Sequence, residues 1–448
     1  MGVTLLLVAV TTTVLILRRS PRAPSEPEGV PARTAEEVQP ITLTGLTIEQ
    51  QITVLRDATT HMAENLAVRY PEEARAHLLL GDVYRRFGRS AEAMACWQKA
   101  ADLAPDWASP FDRMAIVAME KGQFDEAISW WQRVLALNPA SPGIHDKMGR
   151  VLMASGRQDE AIAALKEEIR ISPTSAPTYY LLGQAYLQNK QYEQAVDYYK
   201  KALELSPDLP NVHYGLATAY ARLRQPALAQ QYRDSFRRLS ADDPEERPYG
   251  FSPQDDLVKA RADFVGHALR AASLQQAQGR MSDAEALLRR AAAVDPNHAD
   301  CRKRLAAFYR SAGKLPQALA QCEQVARLEP NDPTCRLLIA TLALQLQQRD
   351  KAEAAFKKLV ALAPRESVGY RELARLYLAS DAKLNEAKRL AQKAVELAPA
   401  AANYYVLGLV CQRSGDRDSA LAALRQAIQL DPGNAEYRRA YNMMETRR

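Results

Sequence analysis

The 448 residues contain no Cys-x-x-Cys, and the five cysteines, Cys96, Cys301, Cys322, Cys335 and Cys411, are spaced like neither a disulfide framework nor a zinc site. An odd, dispersed set argues for reduced thiols in a cytosolic setting. There is no nucleophile elbow, no phosphate-cradling glycine loop, no His-Glu-x-x-His and no Cys-x-x-Cys-His. With no candidate site for turnover the sequence points away from an enzyme, and it implies neither a metal nor a cofactor. Charge of one sign is also missing: 59 Lys and Arg stand against 53 Asp and Glu, a formal net charge of +6, and the signs alternate along the chain. Such mixing reads as solvated helix faces, so nucleic acid is not an expected partner.

What the chain has instead is recurrence. The stretches "QFDEAISWWQRVLALNP", "RQDEAIAALKEEIRISP" and "QYEQAVDYYKKALELSP" begin at Gln123, Arg157 and Gln191. Pro71, Pro105, Pro139, Pro173 and Pro207 lie 34 residues apart, and a second run follows at Pro296, Pro330, Pro364, Pro399 and Pro432, at spacings of 34, 34, 35 and 33. Counted from the third residue after each proline, a unit has an aromatic or His at position 4, Leu at 7, Gly or Ala at 8, Tyr at 11, Ala at 20, a bulky residue at 24 and Pro at 32. The unit from Ala74 supplies His77, Leu80, Gly81, Tyr84, Ala93, Trp97, Ala100 and Pro105; the unit from Ala176 supplies Tyr179, Leu182, Gly183, Tyr186, Ala195, Tyr199, Ala202 and Pro207.

This pattern resembles the tetratricopeptide repeat (TPR), and it covers roughly Ala74 to Pro432. The resemblance implies an all-α, right-handed superhelical solenoid of paired helices. The residues agree with it: small side chains at 8 and 20 let two antiparallel helices approach, and the large ones fill the space around the contact. Proline at 32 ends the second helix. Ser141-Pro142 and Asp332-Pro333 are read as an N-cap followed by a preset first helical residue. Such units are stable only when stacked, and the ends need polar caps; "AEYRRAYNMMETRR", Ala435 to Arg448, suits one. His77, His145 and His213 occupy position 4 and are read as structural.

The 89 residues between Pro207 and Pro296 are two units plus 21 residues, so the array is interrupted once. Ser240 to Asp256, with three prolines and six carboxylates, reads as a linker or contact loop, and Leu257 to Gln278 as an unusually long helix. The expected layout is 1–19 a transmembrane or signal-anchor segment, 20–46 a Pro-rich disordered spacer, 47–239 a first array of a partial capping repeat and about five units, 240–256 the linker, and 257–448 a second array of about five units with a capping helix. Two sub-arrays of altered relative curvature are expected, with one continuous superhelix as the alternative.

Val3 to Leu17 is apolar apart from threonines and is followed by Arg18, Arg19 and Arg22. As a helix it reaches about 22 Å, short of the roughly 30 Å hydrocarbon core, but snorkelling arginines and local thinning can close that gap. It is read as an uncleaved anchor in the lipid bilayer, with its positive flank, and hence the repeats, in the cytoplasm. An extracytoplasmic body is the alternative. Short anchor, arginines and repeats together also look like the layout of the bacterial lipopolysaccharide assembly protein B, although that family ends in a zinc ribbon and this chain ends in "MMETRR".

In the TPR family the first helices line a concave groove through positions 2, 5, 9, 12 and 13. The resemblance therefore puts Arg75, Asp82, Arg85, Arg86, Asp112, Met119, Asp146, Arg150, Met153, Tyr180, Gln184, Gln188, Tyr214, Thr218 and Arg222 in it. The lysine and asparagine clamp that repeat domains use for chaperone tails is absent, because position 5 reads Leu78, Asp112, Asp146, Tyr180 and Tyr214. The expected function is a membrane-anchored scaffold that binds proteins or peptides, with self-association left open; the alternative is an exported protein assisting envelope or secretion-complex assembly.

Overall fold

The computed structural model describes residues 41–241, 253–379 and 383–446. The segment read as an anchor, most of the 20–46 spacer and most of the linker lie outside the described residues. Among the described residues every regular element is a helix, and no helix is long and apolar enough to cross a membrane.

Helix α1 (Ile48–Arg69) opens on a capping box, in which Thr47 Oγ1 accepts from Gln50 N–H and the Gln50 side chain accepts from Thr47 N–H. Five helix pairs follow: α2 (Ala74–Arg86) with α3 (Ser90–Leu103), α4 (Ala108–Glu120) with α5 (Phe124–Leu137), and α6 (Ile144–Ala154) with α7 (Gln158–Ile171). The last two are α8 (Ala176–Gln188) with α9 (Tyr192–Leu205), and α10 (Pro210–Arg222) with α11 (Pro226–Ala241). The second array has α12 (Pro253–Ala277) with α13 (Met281–Val294), α14 (Ala299–Ser311) with α15 (Leu315–Leu328), and α16 (Pro333–Gln345) with α17 (Arg349–Leu362). It ends with α18 (Ser367–Ala379) and α19 (Leu384–Leu397), α20 (Ala401–Arg413) and α21 (Arg417–Leu430), and the single helix α22 (Ala435–Glu445).

Each pair is closed by the contact of positions 8 and 24. A Cβ added at Gly81 would sit 2.4 Å from Trp97 Nε1, one at Gly149 2.7 Å from Leu165 Cγ, and one at Gly183 2.6 Å from the Tyr199 ring. No side chain fits there, so glycine sets how closely the helices approach. The turn between the two helices needs a left-handed residue. Glycine supplies it at Gly88, Gly122, Gly156, Gly313 and Gly415, whereas Lys190, Arg224 and Gln347 adopt it at φ near +60°.

In several units the position-4 side chain ties the first helix to the carbonyl of the proline before it. His77 Nε2 lies 2.8 Å from Pro71 O, His213 Nε2 3.2 Å from Pro207 O, Arg302 Nε donates to Pro296 O at 2.7 Å, and Tyr370 Oη to Pro364 O at 3.3 Å. The proline carbonyl at a helix end has no intrahelical partner, so this bond satisfies it. Asp332 caps α16 through Thr334 N–H as expected. Ser141-Pro142 does not cap α6: the cap residue is Gly143 at φ 80°, whose N–H donates instead to Glu168 Oε1 at 2.7 Å.

First helices of successive units pack against one another more closely than second helices do, which puts the first helices on the inner side of the curve. The joint between the arrays follows neither expectation. Helix α12 packs along α1 and α2, at the beginning of the first array, so α1 is not an outer cap but a shared element. It runs parallel to α1, with Arg261 donating to Gln51 near the starts and Tyr70 Oη to Gln275 at 2.6 Å near the ends. Both arrays thus lead away from one three-helix joint. One hydrophobic core spans it, containing Leu55, Met62 and Leu66 of α1, Leu79 and Val83 of α2 and Leu257, Phe264 and Val265 of α12. At its far end α22 closes the second array with buried Tyr437 and Met444.

Candidate functional site

The groove residues of the first array divide into two sets. Those of the first unit are engaged by α12: Arg86 Nε donates to Asp263 at 2.6 Å, Arg270 to Asp82 at 2.6 Å, and Gln278, just beyond that helix, to Glu73 at 2.8 Å. Asp82 is the centre of this set, with a side chain only 10% exposed that also accepts from Arg113 at 3.0 Å. Arg75 pairs with Glu73 at 2.9 Å, and Arg85 with Glu120. The arginine-rich opening of the groove is therefore closed internally.

Beyond it the aspartates form a ladder from unit to unit. Asp82 meets Arg113 of the second unit, Asp112 accepts from Lys147 Nζ of the third at 2.6 Å, and Asp146 accepts from Thr178 Oγ1 of the fourth at 3.2 Å. Asp112 also accepts from the buried Trp131 Nε1 at 2.9 Å. These carboxylates hold the superhelix together, and burial pushes the Asp146 carboxyl above the ordinary range, helped by the like charge of Glu168. Met119 and Met153 pack partly buried against the core, and Gln188 pairs with Gln158.

The remaining set stays open. Arg150 and Arg222 are exposed and make no ion pair among the described residues. Tyr180 leans on Tyr199 with ring centroids 6.1 Å apart, and burial raises its hydroxyl. Gln184 and Thr218 lie half-buried between them, and Tyr214, 61% exposed, rests against Phe236 at 5.6 Å. A tyrosine held from one side and bare on the other offers area at little ordering cost, and an unpaired guanidinium seeks a carboxylate. The inner face of the second array is mixed: Leu337 and Leu344 of α16 and Leu378 of α18 give it a leucine-rich stretch, Lys303, Arg371 and Arg375 are paired with Glu329 and Glu372, and Arg310 of α14 is exposed.

Sequence reasoning missed the bases Arg113 and Lys147, the α12 residues Asp263 and Arg270, and Gln278 just beyond that helix. The first two have a visible signal, a base at position 6 one unit after a groove aspartate. The 25-residue length of α12 signals extra packing surface without saying against what. Burial pushes Cys301 and Cys335 up to about 11 and Cys322 to about 12, which suits unreactive core thiols.

Comparison with curated proteins returned no match. Among solved structures, MamA 41-end from Desulfovibrio magneticus RS-1 is similar at 23% identity, covering 38% of this chain and 97% of that one with a TM-score of 0.37. The C-terminal part of a TPR repeat-containing protein from Cytophaga hutchinsonii is similar at 19% identity, covering 58% and 98% with a TM-score of 0.36. Likenesses this loose say nothing about role. Family models describing the tetratricopeptide repeat match residues 74–107, 117–156, 149–190, 176–209, 198–231, 275–342, 309–373 and 401–434. Since these matches span more than half of the residues, the chain belongs to the tetratricopeptide repeat family.

Proposed function

We propose that this chain is a non-enzymatic scaffold whose partner, a protein segment or peptide carrying carboxylates, lies along Arg150, Tyr180, Gln184, Tyr214 and Arg222. The observation that supports this reading is the contrast within one groove: its first unit is closed by α12, while Tyr214 keeps 61% of its surface and Arg150 and Arg222 keep their charge unpaired. Tyrosine and arginine are the side chains that anchor interfaces best, and unpaired cations select acidic partners. The fold supplies repetition and reach, not chemistry, so catalysis has no part in the reading.

The proposal keeps Val3 to Leu17 as an anchor in the bilayer, with Arg18 and Arg19 holding the repeats on the cytoplasmic side. A reporter fused after Arg448 tests it: activity only of an exported reporter would favour the extracytoplasmic alternative. The groove is tested by capture of partners on the full-length chain from detergent-solubilised membranes, beside a Tyr180→Ala, Tyr214→Ala variant of unchanged helicity. The reading expects a defined partner to be lost from the variant, and equal capture by both would sink it.

A further inference from the structure

The apolar stacking of the first array contains one polar island. Position 27 of each unit sits at the end of the second helix, under the next unit, and holds the buried residues Ala100, Val134 and Ala202 in the first, second and fourth units. In the third it holds Glu168, 2% exposed. Position 3 of the unit that follows is Pro110, Ile144 or Val212 at the other junctions, and at this one it is Thr178, fully buried. Asp146 joins them from α6. The apolar core breaks at the same place, one cluster ending with Ala161 and the next beginning with Ile162, both on α7.

The polar contacts leave two oxygens over. Glu168 Oε1 accepts from Gly143 N–H at 2.7 Å. Asp146 Oδ2 accepts from Thr178 Oγ1 at 3.2 Å, and Thr178 Oγ1 lies 2.8 Å from Ser175 Oγ. Asp146 Oδ1 and Glu168 Oε2 are sealed from solvent and have no hydrogen-bond partner. The surroundings supply little positive charge. Lys147, next to Asp146, is taken by Asp112 of α4; α8 contributes only hydroxyls, from Ser175, Thr178 and Tyr180; and Arg150, one turn further along α6, is exposed in the groove. A half-buried Asp146 with one oxygen sealed, set against the fully buried Glu168, carries a negative charge only at a cost. Sealed oxygens admit no hydrated cation, whereas a proton fits.

We propose that Asp146 keeps its proton at this junction in the presence of Glu168, and that its loss loosens the junction between the third and fourth units beneath Tyr180. The proton belongs on Asp146 because Glu168 Oε1 has a backbone N–H donor in Gly143, whereas Asp146 meets only the Thr178 hydroxyl. The sign follows from linkage. An acid that holds its proton more tightly folded than unfolded contributes stability that is fully present below the ordinary carboxylate range and is lost as pH rises through the folded value. The inference concerns the protein alone and does not depend on what the groove binds.

The test is a carboxyl carbon titration of Asp146 by NMR in the full chain, in wild type and two variants. Asp146 should titrate above the ordinary aspartate range. Glu168→Gln, which removes the like charge, should lower the midpoint; Arg150→Ala, which removes a charge favouring the carboxylate, should raise it. Opposite shifts are not expected of a merely structural pair. Glu168→Ala serves as the folding control, since alanine already stands at this position in the first and fourth units. An Asp146 that titrates in the ordinary range, or one whose midpoint is the same with Glu168→Gln, overturns the proposal.

Discussion

The two arrays share a fold and differ in what they do with it. The second has one core that runs from α12 into α20 and takes in α1 and α2, a small cluster around Cys411, Leu424 and Met444 at its far end, and a leucine-rich stretch of inner face around Leu337, Leu344 and Leu378. The first is broken into two clusters, carries a ladder of aspartates across its inner face and ends on exposed tyrosine and arginine. Positions 8 and 20 hold glycine or alanine in both, while position 24 includes Trp97, Trp131 and Tyr199 in the first and Cys322, Phe356 and Leu424 in the second, so the difference lies beyond the close helix contacts. Stability in such a chain is a sum of local interfaces, and one array can therefore become polar and segmented while its neighbour keeps the joint rigid.

The largest way to break the comparison is to empty the first array's core. Trp97 and Trp131 are fully buried, so Trp131→Ala should cost about 3–5 kcal/mol. The loss should stay local. In denaturant, alkylation of Cys301, Cys322 and Cys335 would report the second array opening near its wild-type midpoint, while Cys96 becomes reactive earlier. Simultaneous exposure of all four thiols would mean that the arrays unfold as one.

Gly183→Ala is the next step down. Its methyl group would meet the Tyr199 ring, which is also held from the other side by Gly215, and overpacking of this kind costs about 1–3 kcal/mol in a thermal or urea melt. Asp82→Ala tests the joint by stranding Arg113 and Arg270, and a loss of about 1–2 kcal/mol is expected because the carboxylate is nearly buried. Arg75→Ala at the same face should change stability by less than about 0.5 kcal/mol, its pair being exposed. Smallest is a gain: Lys190→Gly and Gln347→Gly relieve left-handed backbone in the first and second arrays and should each add about 0.5 kcal/mol by the same melts.

Much of this was legible in the sequence, because the period places helices, turns and close contacts without long-range information. Gly81 against Trp97 and Gly183 against Tyr199 follow from register alone. Of the histidines at position 4, His77 and His213 each reach a proline carbonyl, a contact that the packing expected of them did not include. The joint was not legible. Nothing in a 34-residue period announces that α12 turns back onto α1, and once it does, Asp82 and Arg86 lose their freedom to meet a partner. In "KEEIR" only the register of Glu168, at a position otherwise held by small or apolar residues, sets it apart from Glu167.

The central claim is that the partner uses the polar end of the first array and not the leucine-rich stretch of the second. A photo-crosslinking residue placed at Tyr214 in one full-length chain and at Leu344 in another tests it most directly, since both side chains are exposed on inner faces. The account predicts a discrete adduct from the Tyr214 position that is lost with Arg222→Glu, and none from the Leu344 position. An adduct from Leu344 alone, or one from Tyr214 that is indifferent to Arg222→Glu, would contradict it.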